Sequence, residues 1–308
     1  MSESRGSSAL ASRARGFFFG ALLVLQSALV LTGGAVRLTG SGLGCPTWPE
    51  CTPGSYTPVA NQAEGQLHAW IEFGNRLLTF LLVFVALIVF FIVLKKRRKD
   101  LRLLALGQVL GIFGQGILGG ITVLTDLHPA PVAAHLLLSI LLISGATSLF
   151  DRRHAPQVKI KLDLSSQQVP RQIDLMSRFH IGLTFLVIAL GTLVTGSGPH
   201  AGDEKARRFD FDIRTIAWIH ADAVILLLGI TLALYFMANI SKQTRHRILI
   251  FGVVAIAQGA IGYIQYFTGI PELLVAAHLL GATLVWITAW RMRLSVIFAP
   301  TVKQHDAP

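Results

Sequence analysis

The chain of 308 residues is 53% hydrophobic and only 14% charged, with a formal net charge of +11 and a mean hydropathy of +0.60. A soluble chain carries about 25% charged residues, so this one has too little polar surface to cover itself, and a soluble fold is excluded. Nor does the positive charge point to nucleic acid. Of 27 Lys and Arg, all but Arg37, Arg76, Lys205, Arg207, Arg208 and Arg214 fall in the termini and in loops on one side of a membrane, which is the positive-inside bias that sets topology.

Eight apolar runs, at roughly 16–36, 70–94, 103–124, 131–150, 178–195, 214–238, 248–268 and 273–290, are each long enough to cross a hydrocarbon core of about 30 Å as a helix. The expected fold is an all-α, multi-pass cell-membrane protein of eight transmembrane helices with both termini cytoplasmic. The first run is too long for a signal-peptide core and lacks a convincing small-residue cleavage site, so it is read as a retained helix.

Met1–Arg15 is Ser- and Arg-rich and is expected to be a disordered cytoplasmic tail. Helix 1 ends in Gly33–Gly34 and leads into Thr39–Gly44 (TGSGLG), which opens an external loop holding Cys45 and Cys51, the only cysteines. Helix 2 carries His68, Glu72, Asn75 and Arg76 before turning purely apolar, and Lys95–Lys99 (KKRRK) closes it on the cytoplasmic side. On helix 3, Gly107, Gly111, Gly116 and Gly120 are spaced to let a neighbouring helix approach closely. The longest polar connection, Asp151–Asp174, includes Lys159 and Lys161 and divides the chain. The domains expected are a tail over 1–15, a first four-helix half over 16–150, a linker over 151–175, a second four-helix half over 176–293 and a tail over 294–308.

The division rests on repetition. Val132–Leu137 and Val275–Leu280 both read VAAHLL, and Gln115 and Gln258 each stand twenty residues before the histidine of their copy. Thr195–His200 (TGSGPH) echoes the TGSGLG that follows helix 1. The chain therefore reads as two duplicated four-helix bundles. On this topology His135, His220 and His278 lie near the external ends of helices 4, 6 and 8. Ionisable groups within a membrane are costly and usually functional, and two histidines from facing helices are a common way to hold a haem iron. The residues thus favour His220 and His278 as an axial pair. In the first half the repeat sets Asn75 where the partner of His135 should stand, with His68 two turns away on the same face.

Glu72 lies one turn from both His68 and Asn75, and a carboxylate there costs up to roughly 3 kcal/mol at mid-membrane. Arg76 at i+4 offers an ion pair; a catalytic carboxylate beside a haem is the sharper reading. Cys45 and Cys51 are expected to form a disulfide on the oxidising side of the membrane, as a structural or a redox-active pair. No Cys-x-x-Cys-His attachment motif is present, so any haem is held without a covalent bond.

These residues together resemble the haem A synthase family. Those that carry the resemblance are TGSGLGC after helix 1, Ile71–Arg76 (IEFGNR), His135, TGSGPH, His220 and His278, and it extends from Gly20 to Arg293. The resemblance implies haem b as cofactor between His220 and His278, and haem O as substrate in the first half with its iron on His135, His68 or Asn75 being the alternatives for a second ligand. It also implies Glu72 as an essential glutamate. The reaction implied is oxidation of a haem O methyl group to the formyl of haem A, for terminal oxidase biogenesis. Implied partners are the lipid bilayer, haem O synthase and an electron donor such as quinol, in a homo-oligomer or alone, with no nucleic acid. The sequence departs from the family's Glu-x-x-His-Arg pattern at Asn75. The rival readings are a b-type cytochrome relaying electrons from quinol and a haem carrier; an unpaired carboxylate beside the haem argues for the enzyme.

Overall fold

The computed structural model describes residues 2–155, 170–200, 202, 203 and 206–298, with side chains from residue 16 onward. Eight helices make up the described chain: α1 (Ser2–Leu38), α2 (Gln66–Lys95), α3 (Arg102–Leu124), α4 (Pro129–Arg152), α5 (Arg171–Ser197), α6 (Ile213–Phe236), α7 (Lys242–Phe267) and α8 (Glu272–Ile297). All eight are long and apolar enough to span a membrane. Their outward apolar side chains stay uncovered, as with Leu103, Phe80 and Leu273, because hydrocarbon rather than water is the solvent there and every backbone group is satisfied within its helix.

The eight helices begin before their apolar runs, and α1, α2, α4, α5 and α8 also end beyond them. Residues 2–15, expected as a disordered tail, are helical and continuous with α1, since Ala, Leu and Arg favour helix and no proline interrupts the run. The first turns of α2, α5 and α7 lie outside the runs for the same reason: hydropathy marks only the lipid-facing part of a helix. The expected linker is thereby shortened at both ends. Its residues 156–169, with Lys159 and Lys161, lie outside the described residues, as do Lys205 and the tail from 299. Several helix starts carry a local signal. Asp212 caps α6 by accepting from Thr215 N at 2.9 Å and its hydroxyl at 2.7 Å, and these bonds hold the Asp212 carboxyl below its ordinary range. Ser241 caps α7 through Thr244 N, and Pro129 opens α4 where a missing N–H is harmless.

Among the described residues, α1 packs on α2 and α4, and α3 on α2 and α4, closing a ring of four helices; α5 to α8 close a second ring in the same order. The pairs α2 with α4 and α6 with α8 do not touch, so they face each other across the middle of each ring. The rings meet through α1 with α8, α4 with α5 and α4 with α8, a set of neighbours left unchanged when the two halves are exchanged. Val30, Ile140, Ile143, Ile188 and Trp286 form the apolar centre of this seam. Trp286 and Trp290 donate across it to Ser144 and Ser148 at 2.9 and 2.8 Å, bonds worth about 0.6 kcal/mol each in a membrane interior. At the basic end, Asp151 holds Arg291 at 2.7 Å and Arg247 at 3.3 Å. At the opposite end, which bears the cysteines, Arg37 of α1 donates to the Thr195 carbonyl of α5 at 2.7 Å, and Gly42 N donates to the Gly202 carbonyl at 3.0 Å. Both ends of the seam are therefore tied.

Candidate functional site

A cavity of about 1700 Å³ runs through the cysteine-bearing half of both rings, larger than the roughly 300–1,000 Å³ of ordinary small-molecule pockets. Its walls include Glu72, Asn75, His135, His220 and His278. Each of these histidines stands two turns into its helix from the cysteine-bearing end. His220 on α6 and His278 on α8 come from the facing pair of the second ring and line the same cavity.

Each of the three rings is seated against a glycine on the preceding helix. A Cβ at Gly119 would meet the His135 ring at 3.7 Å, at Gly191 the His220 ring at 3.3 Å, and at Gly262 the His278 ring at 3.0 Å. Gln115 donates to the His135 carbonyl at 3.1 Å and Gln258 to the His278 carbonyl at 2.7 Å, so each glutamine ties α3 to α4 or α7 to α8 at the histidine itself. Nδ1 of all three histidines is buried without a hydrogen-bond partner. That nitrogen is closed off from the cavity; among the described residues no hydrogen bond engages Nε2 of the three rings, and an uncommitted imidazole nitrogen in the wall of a large apolar cavity suits a ligand that brings its own metal. Among the described residues no group of three or more His, Cys, Asp or Glu could hold a bare ion. A porphyrin iron arrives with four nitrogens and asks for one or two imidazoles more, so the donor set fits haem.

The loop after α1 closes the first half. Cys45 and Cys51 are joined by a disulfide and wholly buried. Glu72 is 6% exposed, and it accepts from Cys45 N at 2.7 Å and pairs with Arg76 at 2.6 Å, so the carboxylate expected to be unpaired has a cationic partner one turn along its own helix. Arg76 in turn donates to the carbonyls of Cys45 and Thr47, both at 3.1 Å, and of Glu50 at 3.2 Å. The loop at Gly44 lies so close to the His68–Ala69 backbone that any Cβ there would overlap it, and Trp48 occupies the space beside Gly120 of α3. Glu72 and Arg76 thus hold the disulfide loop against the cavity mouth. Trp48, Pro49 and Tyr56 line the cavity from that side. Of the glycines on α3, the close seam with α4 is Gly111 against Leu142, Gly114 against Leu138 and Gly119 against His135; Gly107 and Gly116 meet nothing.

Neither cysteine should label with a thiol reagent in denatured, unreduced protein. A bridge closing so short a loop constrains the unfolded chain by about 2 kcal/mol. Replacing both cysteines with serine should open residues 45–56 to limited proteolysis while the helices of the second ring stay protected; equal cleavage of both would contradict a role for the bridge confined to this loop.

Asn75 lines the cavity and its Oδ1 lies 2.7 Å from Thr32 Oγ1. His68 is not among the cavity walls; its Nδ1 lies 2.9 Å from Ser41 Oγ in the loop. His180, in the second-half core, is fully buried with Nε2 3.1 Å from Thr231 Oγ1. His128 caps α4, and His200 bonds to the Ile270 carbonyl at 2.9 Å. Sequence reasoning misses the glycine seats and Thr32, although one signal is present: Gln115–Gly119 reads QGILG and Gln258–Gly262 reads QGAIG.

Fold and site define a multi-pass helical membrane protein whose paired interhelical histidines suit a porphyrin iron. Residues 17–202 match the family described as cytochrome oxidase assembly protein, and the chain belongs to that family. Similar curated relatives are the heme A synthases of Azorhizobium caulinodans, 27% identical over 87% of this chain and 89% of the relative, and of Shewanella oneidensis, 27% identical over 86% and 92%. That of Methylobacterium nodulans is 30% identical over 86% of this chain and 78% of the relative.

Proposed function

We propose that the chain is a haem A synthase, an oxidoreductase that converts a methyl group of haem O to the formyl group of haem A. The observation that carries this reading is the set of three glycine-seated imidazoles whose Nε2 atoms are uncommitted around one cavity; relatives bearing the name heme A synthase support it. His220 and His278 would hold haem b in the second half, and His135 would hold the iron of haem O in the first. The like placement of Gln115 and Gln258, and of Gly119 and Gly262, supports reading the halves, 16–150 and 176–293, as copies.

Bound haem b supplies one-electron redox capacity. The protein's own part is to fix geometry. Gly191 and Gly262 let the Cε1–Nδ1 edges of the His220 and His278 rings come close to α5 and α7, and Gln258 ties α8 to α7 at its histidine. On the substrate side, Gln115 sets His135 in the same way. The loop held by Glu72 and Arg76 keeps water from the mouth of the first half. Glu72 uses one lone pair on each oxygen for Cys45 N and Arg76, and the remaining pairs leave it able to accept a proton released as the methyl group is oxidised, or to stabilise positive charge there.

The crowding of basic residues at the end opposite the cysteines supports both termini lying in the cytoplasm. Haem O synthase as supplier and quinol as electron donor are the partners this reaction calls for.

Two variants test the assignment of halves. In a host that makes haem O, His135→Ala should lose bound haem O and keep haem b, whereas His220→Ala should lose haem b and keep haem O in the membrane. Haem extracted with the unaltered chain should carry a formyl group. A relay would yield only haem b and a carrier only haem O.

A further inference from the structure

The facing helices of the two rings are not equally equipped. The second ring presents two imidazoles, His220 from α6 and His278 from α8. The first presents His135 from α4 and, from α2, the carboxamide of Asn75. That carboxamide is pinned from α1: Thr32 Oγ1 lies 2.7 Å from Asn75 Oδ1, while the same hydroxyl is 3.1 Å from the Ala28 carbonyl one turn back. With its oxygen engaged by Thr32, Asn75 has its amide N–H groups left for the cavity it lines. A neutral carboxamide is a weak iron ligand and a good hydrogen-bond donor. The nearest other imidazole on α2, His68, is turned to Ser41 in the loop and stands outside the cavity wall. Of the remaining histidines in the cavity wall, His200 is held by the Ile270 carbonyl beside α8.

We propose that the first half binds its tetrapyrrole iron through His135 alone and leaves the opposite iron face open to a small diatomic ligand, to which Asn75 donates a hydrogen bond. The inference rests on the haem-binding reading above. Asn75 and Thr32 then act together. Asn75 withholds the second imidazole, and Thr32 fixes which end of the amide faces the ligand.

Carbon monoxide is the probe, added to the reduced, purified holoprotein with both haems bound and followed by optical spectroscopy. The expected result is two populations, one low-spin and inert to carbon monoxide, the other high-spin and reactive. His135→Ala should remove the reactive population and leave the low-spin one. Asn75→His supplies the missing imidazole and should turn the reactive population low-spin; a side chain occupying the iron about nine-tenths of the time weakens the apparent affinity for carbon monoxide ~10-fold. Asn75→Leu, similar in size and without donors, should stay reactive but shift the stretching frequency of bound carbon monoxide. Thr32→Val should shift it in the same sense and by less. Two haems that are both low-spin in the unaltered protein would overturn the inference while leaving the haem reading intact. Carbon monoxide binding that survives His135→Ala would overturn it too, since the reactive iron would then lie in the second half. A purified protein holding no haem in either half would sink the haem reading along with it.

Discussion

Replacing His278 with alanine is expected to abolish the low-spin, bis-imidazole spectrum while the protein still inserts and keeps its disulfide. His278 and His220 come from helices that do not touch each other, so each ring crosses toward the cavity from its own side and neither supports the helix of the other. Loss of either ring leaves a single imidazole for the iron. Changing groups that merely orient a metal ligand costs ~10–100-fold in affinity, so removing the ligand itself should lower retained haem b by more than that. The seats supply a graded control. Alanine at Gly262 puts a Cβ 3.0 Å from the His278 ring, and alanine at Gly191 one 3.3 Å from the His220 ring, and both push the ring off its helix without removing it. Both should retain part of the haem and shift its spectrum, Gly262→Ala the more strongly. An unchanged spectrum in His278→Ala would remove the axial assignment.

Glu72→Gln should leave haem b and expression near the level of the unaltered protein while haem O or a partly oxidised haem accumulates, with formyl-haem production down by ~10²–10⁴-fold, the range for a lost acid–base group. Glutamine retains an oxygen that can accept from Cys45 N, so the loop keeps its attachment on that side. Arg76 is the harder partner. It ties the loop through four carbonyls, of Cys45, Thr47, Pro49 and Glu50, besides its pair with Glu72, so Arg76→Gln alone should open the loop even with Glu72 intact. Comparing Glu72→Gln with Arg76→Gln therefore separates the two roles: loss of chemistry with a closed, protease-resistant loop in the first, and an opened loop in the second. If Glu72→Gln instead opens the loop as readily as Arg76→Gln does, Glu72 is a structural residue.

The number of helices is legible from the apolar runs because lipid imposes a minimum length on each crossing. The three histidines stand out for a related reason, that an ionisable side chain has to justify its place in hydrocarbon. The exact helix ends are not legible, since the polar first turns of α5 and α7 lie outside the membrane and carry no hydropathy signal. In sequence Arg76 presents itself only as an i+4 partner of Glu72. Its bonds to the loop carbonyls depend on how residues 45–50 fold back over α2, which no local pattern encodes. The same holds for Thr32, which reaches Asn75 from a different helix. The α3 glycines read as a close-packing stripe, but spacing alone does not say which face meets α4, and the face used is that of Gly111, Gly114 and Gly119.

Whether this chain performs the oxidation is decided by a conversion with purified components. The holoprotein, with haem b bound, is given haem O and a chemical reductant in air, and the extracted haems are separated and weighed by mass spectrometry. Haem O should be consumed and a formyl-bearing haem should appear, and with Glu72→Gln the formyl-bearing haem should be all but lost. Haem O recovered unchanged from protein with both haem sites filled would contradict the assignment of this chain as the enzyme.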